Sequence, residues 1–130
     1  MGQQQLLIII LGIIIVGIAL AVGISLFSAS AIQANKDAII NDLNNLAANA
    51  YQYSVRPSSM GGGNGMYNRY KIPTLLRSNE NASYSCTFSS DFDNVIFRAT
   101  SIHGYGTISA TVGLDGKIIA SKWVYTGDFR

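Results

Sequence analysis

From Leu6 to Phe27 the chain runs through apolar and small residues without one charge. At about 1.5 Å per helical residue this run spans roughly 33 Å, the thickness of a bilayer's hydrocarbon core. The rest of the chain is too short to build a domain that could enclose it. Most of its side chains are Leu, Ile, Val or Phe, and full burial of each stabilises by roughly 1.5 to 3 kcal/mol, so exposure to water would cost tens of kcal/mol gross. The segment belongs in lipid or against copies of itself.

Of 130 residues, those outside the run suffice for one small domain. The 48% hydrophobic fraction is concentrated in the first 27 residues, and the remainder is rich in Ser, Asn, Gly, Thr and Tyr. Nine basic and seven acidic residues, scattered from Lys36 to Arg130, give a net charge of +2. That pattern has no basic stripe of the kind nucleic-acid binding needs. Cys86 is the single cysteine, which excludes an intrachain disulfide and a clustered Cys/His metal site.

Met1-Gly2-Gln3-Gln4-Gln5 lacks the Lys or Arg of a secretory n-region, and the apolar run exceeds the usual h-region. The pattern also continues past Ala29 and Ala31, so the run reads as a retained helix rather than a cleaved signal. Beyond Ser28 the apolar residues Ile32, Ile39, Leu43, Leu46 and Ala50 recur at spacings of three, four and seven. Gln33, Asn35, Lys36, Asp37, Asn41, Asp42 and Asn45 fall between them, which makes an amphipathic helix with one apolar stripe. With neither Pro nor Gly between Phe27 and Tyr53, a single helix is expected from near the N-terminus to about Tyr53. Gly12, Gly17 and Gly23 would each cost about 1 kcal/mol against Ala in a water-exposed helix. In apolar surroundings they are tolerated, let helices approach closely, or mark a place where the helix loosens.

Pro57 biases Arg56 away from helical geometry and ends the helix. Met60-Gly61-Gly62-Gly63-Asn64-Gly65 follows as a flexible loop and lacks the Gly-Lys-Ser/Thr ending of a phosphate cradle. Tyr67, Tyr70, Ile72, Leu75 and Leu76 are expected to anchor the next segment across a sheet. Ser83–Ser89, Asn94–Ser101, Thr107–Val112 and Lys117–Tyr125 alternate as strands. Turn-forming residues separate them, with Asp115-Gly116 the most specific hairpin signal. Short links make neighbours antiparallel, and the only cover for one face is the stripe containing Ile32, Ile39, Leu43 and Leu46. The expected fold is α+β: a long N-terminal α-helix packed on a four-stranded antiparallel β-sheet. Its segments are an apolar helix over 1–27, an amphipathic helix over 28–53, a Gly-rich loop over 54–82 and the sheet over 83–130.

Single residues add little chemistry. His103 has no Ser or Cys nucleophile with a partner nearby, so no enzymatic activity is expected. Asp91, Asp93 and Asp115 do not match a calcium loop and read as turn formers, so no metal and no cofactor is expected. Asn81-Ala82-Ser83 fits a glycosylation acceptor, and Asn also suits the start of a strand.

A greasy half-helix, an irregular loop and a four-stranded sheet on the other half of the helix together resemble a type IV pilin or pilin-like subunit. The likeness is architectural over the whole chain and chemical at Met1 to Phe27. Members of that family wait in the inner membrane by the apolar half-helix and then bundle those helices into the core of an extracellular filament. The resemblance implies a homo-oligomeric helical polymer at the cell surface, a membrane-inserted precursor, pilus assembly machinery as a partner and no nucleic acid. It makes Met1, Gln5, Leu6, Ile10, Gly12, Ile14, Gly17, Leu20, Ile24 and Phe27 the assembly residues. Where the family usually has a glutamate near the mature N-terminus this chain has Gln5, whose neutral amide bonds an ammonium more weakly than a carboxylate does. The lone Cys86 also departs from the C-terminal disulfide of many bacterial members. Two other readings share this organisation: a single-span membrane-anchored envelope binding domain, and a minor pseudopilin of a secretion system. An ordinary anchor would carry flanking Lys or Arg and interfacial Trp or Tyr, and residues 1–35 contain none.

Overall fold

The computed structural model describes residues 2–130. Helix α1 runs Gly2–Val55. By contact density the chain divides between Gln33 and Ala34 into an N-terminal unit and a larger unit, Ala34–Arg130. All the described residues of the N-terminal unit lie in α1.

In the larger unit α1 buries Asn35, Ile39, Leu43, Leu46, Ala47, Ala50 and Ser54. These positions recur every three or four residues, the repeat of one helix face. The helix stops where the sequence stops it, with Arg56 ahead of Pro57. The loop then turns back and caps it: Gly63 N donates to Tyr53 O at 3.0 Å, Gly65 N to Ser54 O at 2.5 Å and Asn64 N to Arg56 O at 3.1 Å. Final carbonyls that the helix itself leaves without partners are thus satisfied by loop N–H groups.

Strands β1 (Ala82–Phe88), β2 (Val95–Ser101), β3 (Thr107–Val112) and β4 (Val124–Tyr125) form one sheet in the order β1-β2-β3-β4. Every neighbouring pair is antiparallel. The register sets Cys86 opposite Phe97 and Phe97 opposite Ala110. Alternation therefore puts Tyr84, Val95, Phe97, Ala99, Ile108, Ala110 and Val112 on the buried face against the helix. The other face carries Ser83, Ser85, Thr87, Arg98 and Thr100, all exposed. Tyr67, Tyr70 and Ile72 close the core from the loop, and Phe129 closes it from the C-terminal segment.

Three expectations change in detail. Ile32 lies in the N-terminal unit and is only half-buried, whereas Asn35, read as an outward polar residue, is buried. The reason is a pair of hydrogen bonds: Ser101 Oγ donates to Asn35 Oδ1 at 2.9 Å, and Asn35 Nδ2 donates to Asn81 O at 3.3 Å. Leu75 and Leu76, expected as anchors, sit on a short 3-10 turn, Thr74–Leu76, and are exposed, Leu75 at 92%. The segment Lys117–Tyr125, expected as one strand, pairs only at its ends. Val112 bridges Ile118, and Ile108 then pairs with Tyr125. The two pairings differ in register by three residues, and the 3-10 turn Ala120–Lys122 takes up that excess. The preceding hairpin turn needs its glycine: Gly116 has φ +76°, and a Cβ there would lie 2.5 Å from Cγ of Tyr51.

The core is held partly by phenols acting as donors. Tyr67 Oη donates to Gly113 O at 2.5 Å, Tyr70 Oη to Asn49 Oδ1 at 2.7 Å and Tyr84 Oη to Asp42 Oδ2 at 2.6 Å. Burial raises the pKa of all three, and for Tyr84 the hydrogen bond to Asp42 raises it further. The folded state therefore holds these protons more tightly than the unfolded chain. The associated stability is complete below the ordinary tyrosine pKa of about 10 and is lost as pH rises above it, at up to about 1.4 kcal/mol per pH unit for each phenol. Circular dichroism during alkaline titration should show cooperative loss of the sheet above about pH 10, and Tyr84→Phe should make that loss shallower.

Candidate assembly surface

Residues Gly2–Gln33 contain no Asp, Glu, Lys or Arg. Sixteen large apolar side chains between Leu6 and Phe27 are each 52% to 77% exposed, and none is buried. The helix is long and apolar enough to cross a membrane. Such an area carries a gross solvation penalty of tens of kcal/mol, which only lipid or other apolar helices can remove.

All the sequence-predicted assembly residues that are described lie on this segment: Gln5, Leu6, Ile10, Gly12, Ile14, Gly17, Leu20, Ile24 and Phe27 are exposed on α1. Met1 lies outside the described residues. At about 100° per residue Leu6, Ile10, Gly17, Leu20 and Ile24 fall on one side. Leu7, Ile8, Leu11, Ile14 and Ile15 are just as open elsewhere on the circumference. The candidate surface is thus the whole cylinder, and the signal for it was the absence of periodicity rather than a stripe.

The glycines subdivide that cylinder. A Cβ added to Gly12, Gly17 or Gly23 would meet nothing within 4 Å, so none of them makes room for another part of this chain. Gly12 and Gly23 lie about three turns apart and share one side, while Gly17 sits on another. Each leaves a notch in which a second helix can approach the backbone closely.

The larger unit holds little reactive chemistry. Among the described residues no group of three His, Cys, Asp or Glu could hold a metal. Cys86 is half-buried, and burial pushes its thiol pKa up, so it stays protonated rather than nucleophilic. His103 packs against the ring of Tyr105, with centroids 5.7 Å apart. Asn81 is half-buried at the start of β1, where its Nδ2 donates to Asp42 Oδ2 at 3.3 Å. A sugar attached to that nitrogen would have to replace its other hydrogen or displace the bond. Asp42, read as solvent-facing, is in fact a junction: the same Oδ2 also accepts from Asn79 Nδ2 at 2.8 Å and from Tyr84 Oη. It sits four residues from Leu46 on one helix face, and that spacing was the available sign.

Removing residues 1–27 deletes all sixteen exposed apolar side chains and leaves every buried core residue in place. The expected product is a soluble monomer with its sheet retained by circular dichroism. An insoluble or unfolded product would mean that the larger unit needs the apolar segment to fold. No family model, curated protein or solved structure matches this chain.

Proposed function

We propose that this chain is the structural subunit of an extracellular helical filament of the type IV pilin kind, polymerising through its N-terminal apolar helix. The observation that carries this reading is the uncharged helix surface of Leu6–Phe27, apolar around its full circumference and with no Lys, Arg, Trp or Tyr within residues 1–35. Lipid tails and neighbouring helices are equally apolar, so transfer from one to the other costs little, and van der Waals packing of many identical rods favours the bundle. A head-to-tail interface that does not close on itself turns such a unit into a filament. Before assembly the same helix holds the subunit in the inner membrane, from which the assembly machinery would draw it. Afterwards residues 34–130 face outward at the cell surface.

Gln5 fits this role in a reduced form. It is exposed near the start of α1 and offers an amide to a neighbouring helix. The test is electron microscopy of material sheared from cells, with mass spectrometry for this chain. Fibres composed of it support the proposal. Recovery only as a detergent-solubilised monomer would select a single-span anchored domain, and fibres in which it is a trace component would select a minor pseudopilin.

A further inference from the structure

Three of the chain's nine basic residues converge on one groove of about 350 Å³ between the last turns of α1 and the loop that follows. Arg56 comes from the helix end, and Arg69 and Lys71 come from the loop. Asn49 and Gln52 line the same groove, and no carboxylate does. Its volume lies within the range of small-ligand sites.

The cations are not explained by the helix end. Carbonyls of Tyr53, Ser54 and Arg56 already accept from Gly63, Gly65 and Asn64, so the helix terminus does not require a basic side chain to satisfy them. Arg69 also holds a left-handed backbone, φ +63°, which costs about 1 kcal/mol or more for a residue with a Cβ. Tyr53 Oη donates to the neighbouring Asn68 carbonyl at 2.5 Å and fixes that part of the loop. The groove is thus a positively charged concavity with amides beside the charge.

We propose that this groove binds a carboxylate-bearing polysaccharide, a polyuronate, independently of whether the subunit is in a filament. Guanidinium groups match a sugar carboxylate in a two-bond fork, and the Asn49 and Gln52 amides suit sugar hydroxyls. Nucleic acid fits less well. Tyr53 and Tyr70 line the groove, but Tyr70 is buried and Tyr53 is half-buried and packed against it with ring centroids 5.4 Å apart, so neither ring is fully open to stack a base. An acidic peptide fits less well too, because the apolar lining is limited to Pro73 and the partly covered rings of Tyr53 and Tyr70, with no aliphatic pocket for an anchor side chain.

The test uses full-length protein in nonionic detergent micelles, passed over immobilised polygalacturonate, neutral dextran and single-stranded DNA. Retention on polygalacturonate alone is expected at low salt, declining as salt rises. The variant Arg69→Asn with Lys71→Gln should bind roughly tenfold more weakly, and Asn tolerates the left-handed backbone. Lys117→Gln, which removes an exposed charge outside the groove, should bind like the parent protein. Circular dichroism matching the parent shows that the double variant is folded, and Arg56→Gln serves as a second variant if it is not. Unchanged binding by a folded groove variant, absence of retention on polygalacturonate, or equal retention on DNA would each overturn the proposal.

Discussion

Ile14→Asp is expected to abolish fibre formation while residues 34–130 stay folded. Ile14 is exposed near the middle of the apolar segment, in the N-terminal unit and not in the larger one. In a dry bundle of identical helices the introduced carboxylate would cost several kcal/mol after relaxation, and every subunit would incur that cost. The membrane-inserted precursor is less sensitive. One Asp at the centre of a span costs about 2.5 to 3.5 kcal/mol on insertion scales, while each Leu, Ile, Val or Phe returns about 0.3 to 0.6. The fifteen large apolar residues left in this segment therefore still favour insertion. The variant should accumulate in the membrane fraction, with no fibres in the sheared fraction by electron microscopy. Fibres at parental yield would refute assembly through this helix.

How legible the molecule was varied with the kind of physics involved. Strands β1 to β3 could be read because Tyr84, Val95-Phe97-Ala99 and Ile108-Ala110-Val112 alternate with Ser, Thr and Arg, Ile96 being the apolar exception, and one buried face enforces that alternation. The helix could be read because nothing breaks it between Gly23 and Arg56 and its second half has a stripe. Lys117–Tyr125 misled because Ile118 and Ile119 are adjacent: alternation then suits either face, and a three-residue excess on one strand has no signature in residue type. Asn35 and Asp42 were hidden for another reason. Polar residues on a helix default to solvent, and only the folded register brings Ser101, Asn79, Asn81 and Tyr84 to them. The assembly surface was visible as composition, since its property is uniformity. The basic groove was not, because Arg56, Arg69 and Lys71 come together only after the loop folds back on the helix end.

The second large effect belongs to the core and separates folding from assembly. Phe97 is fully buried on β2, edge-on to Tyr70 with centroids 6.2 Å apart, and lies between Cys86 and Ala110 on the neighbouring strands. Those small neighbours cannot fill its volume, so Phe97→Ala should cost about 3 to 5 kcal/mol through lost burial and the cavity left behind. Asp42→Ala would release three donors, yet Asn79 is exposed and Asn81 only half-buried, so water can take over part of that bonding and a loss nearer 1 to 3 kcal/mol is expected. For a unit of this size the Phe97 loss is a large fraction of its total stability. Thermal unfolding of the protein lacking residues 1–27, followed by circular dichroism, should show the larger drop for Phe97→Ala. A change below 1 kcal/mol would mean that the helix and sheet do not share a close-packed core around that ring. In the full-length chain the same substitution leaves Leu6–Phe27 untouched, so it should give membrane-inserted subunits that are lost to proteolysis of the larger unit. Ile14→Asp should give intact subunits that do not polymerise, and the two failures are distinguishable by whether residues 34–130 survive protease treatment of membranes.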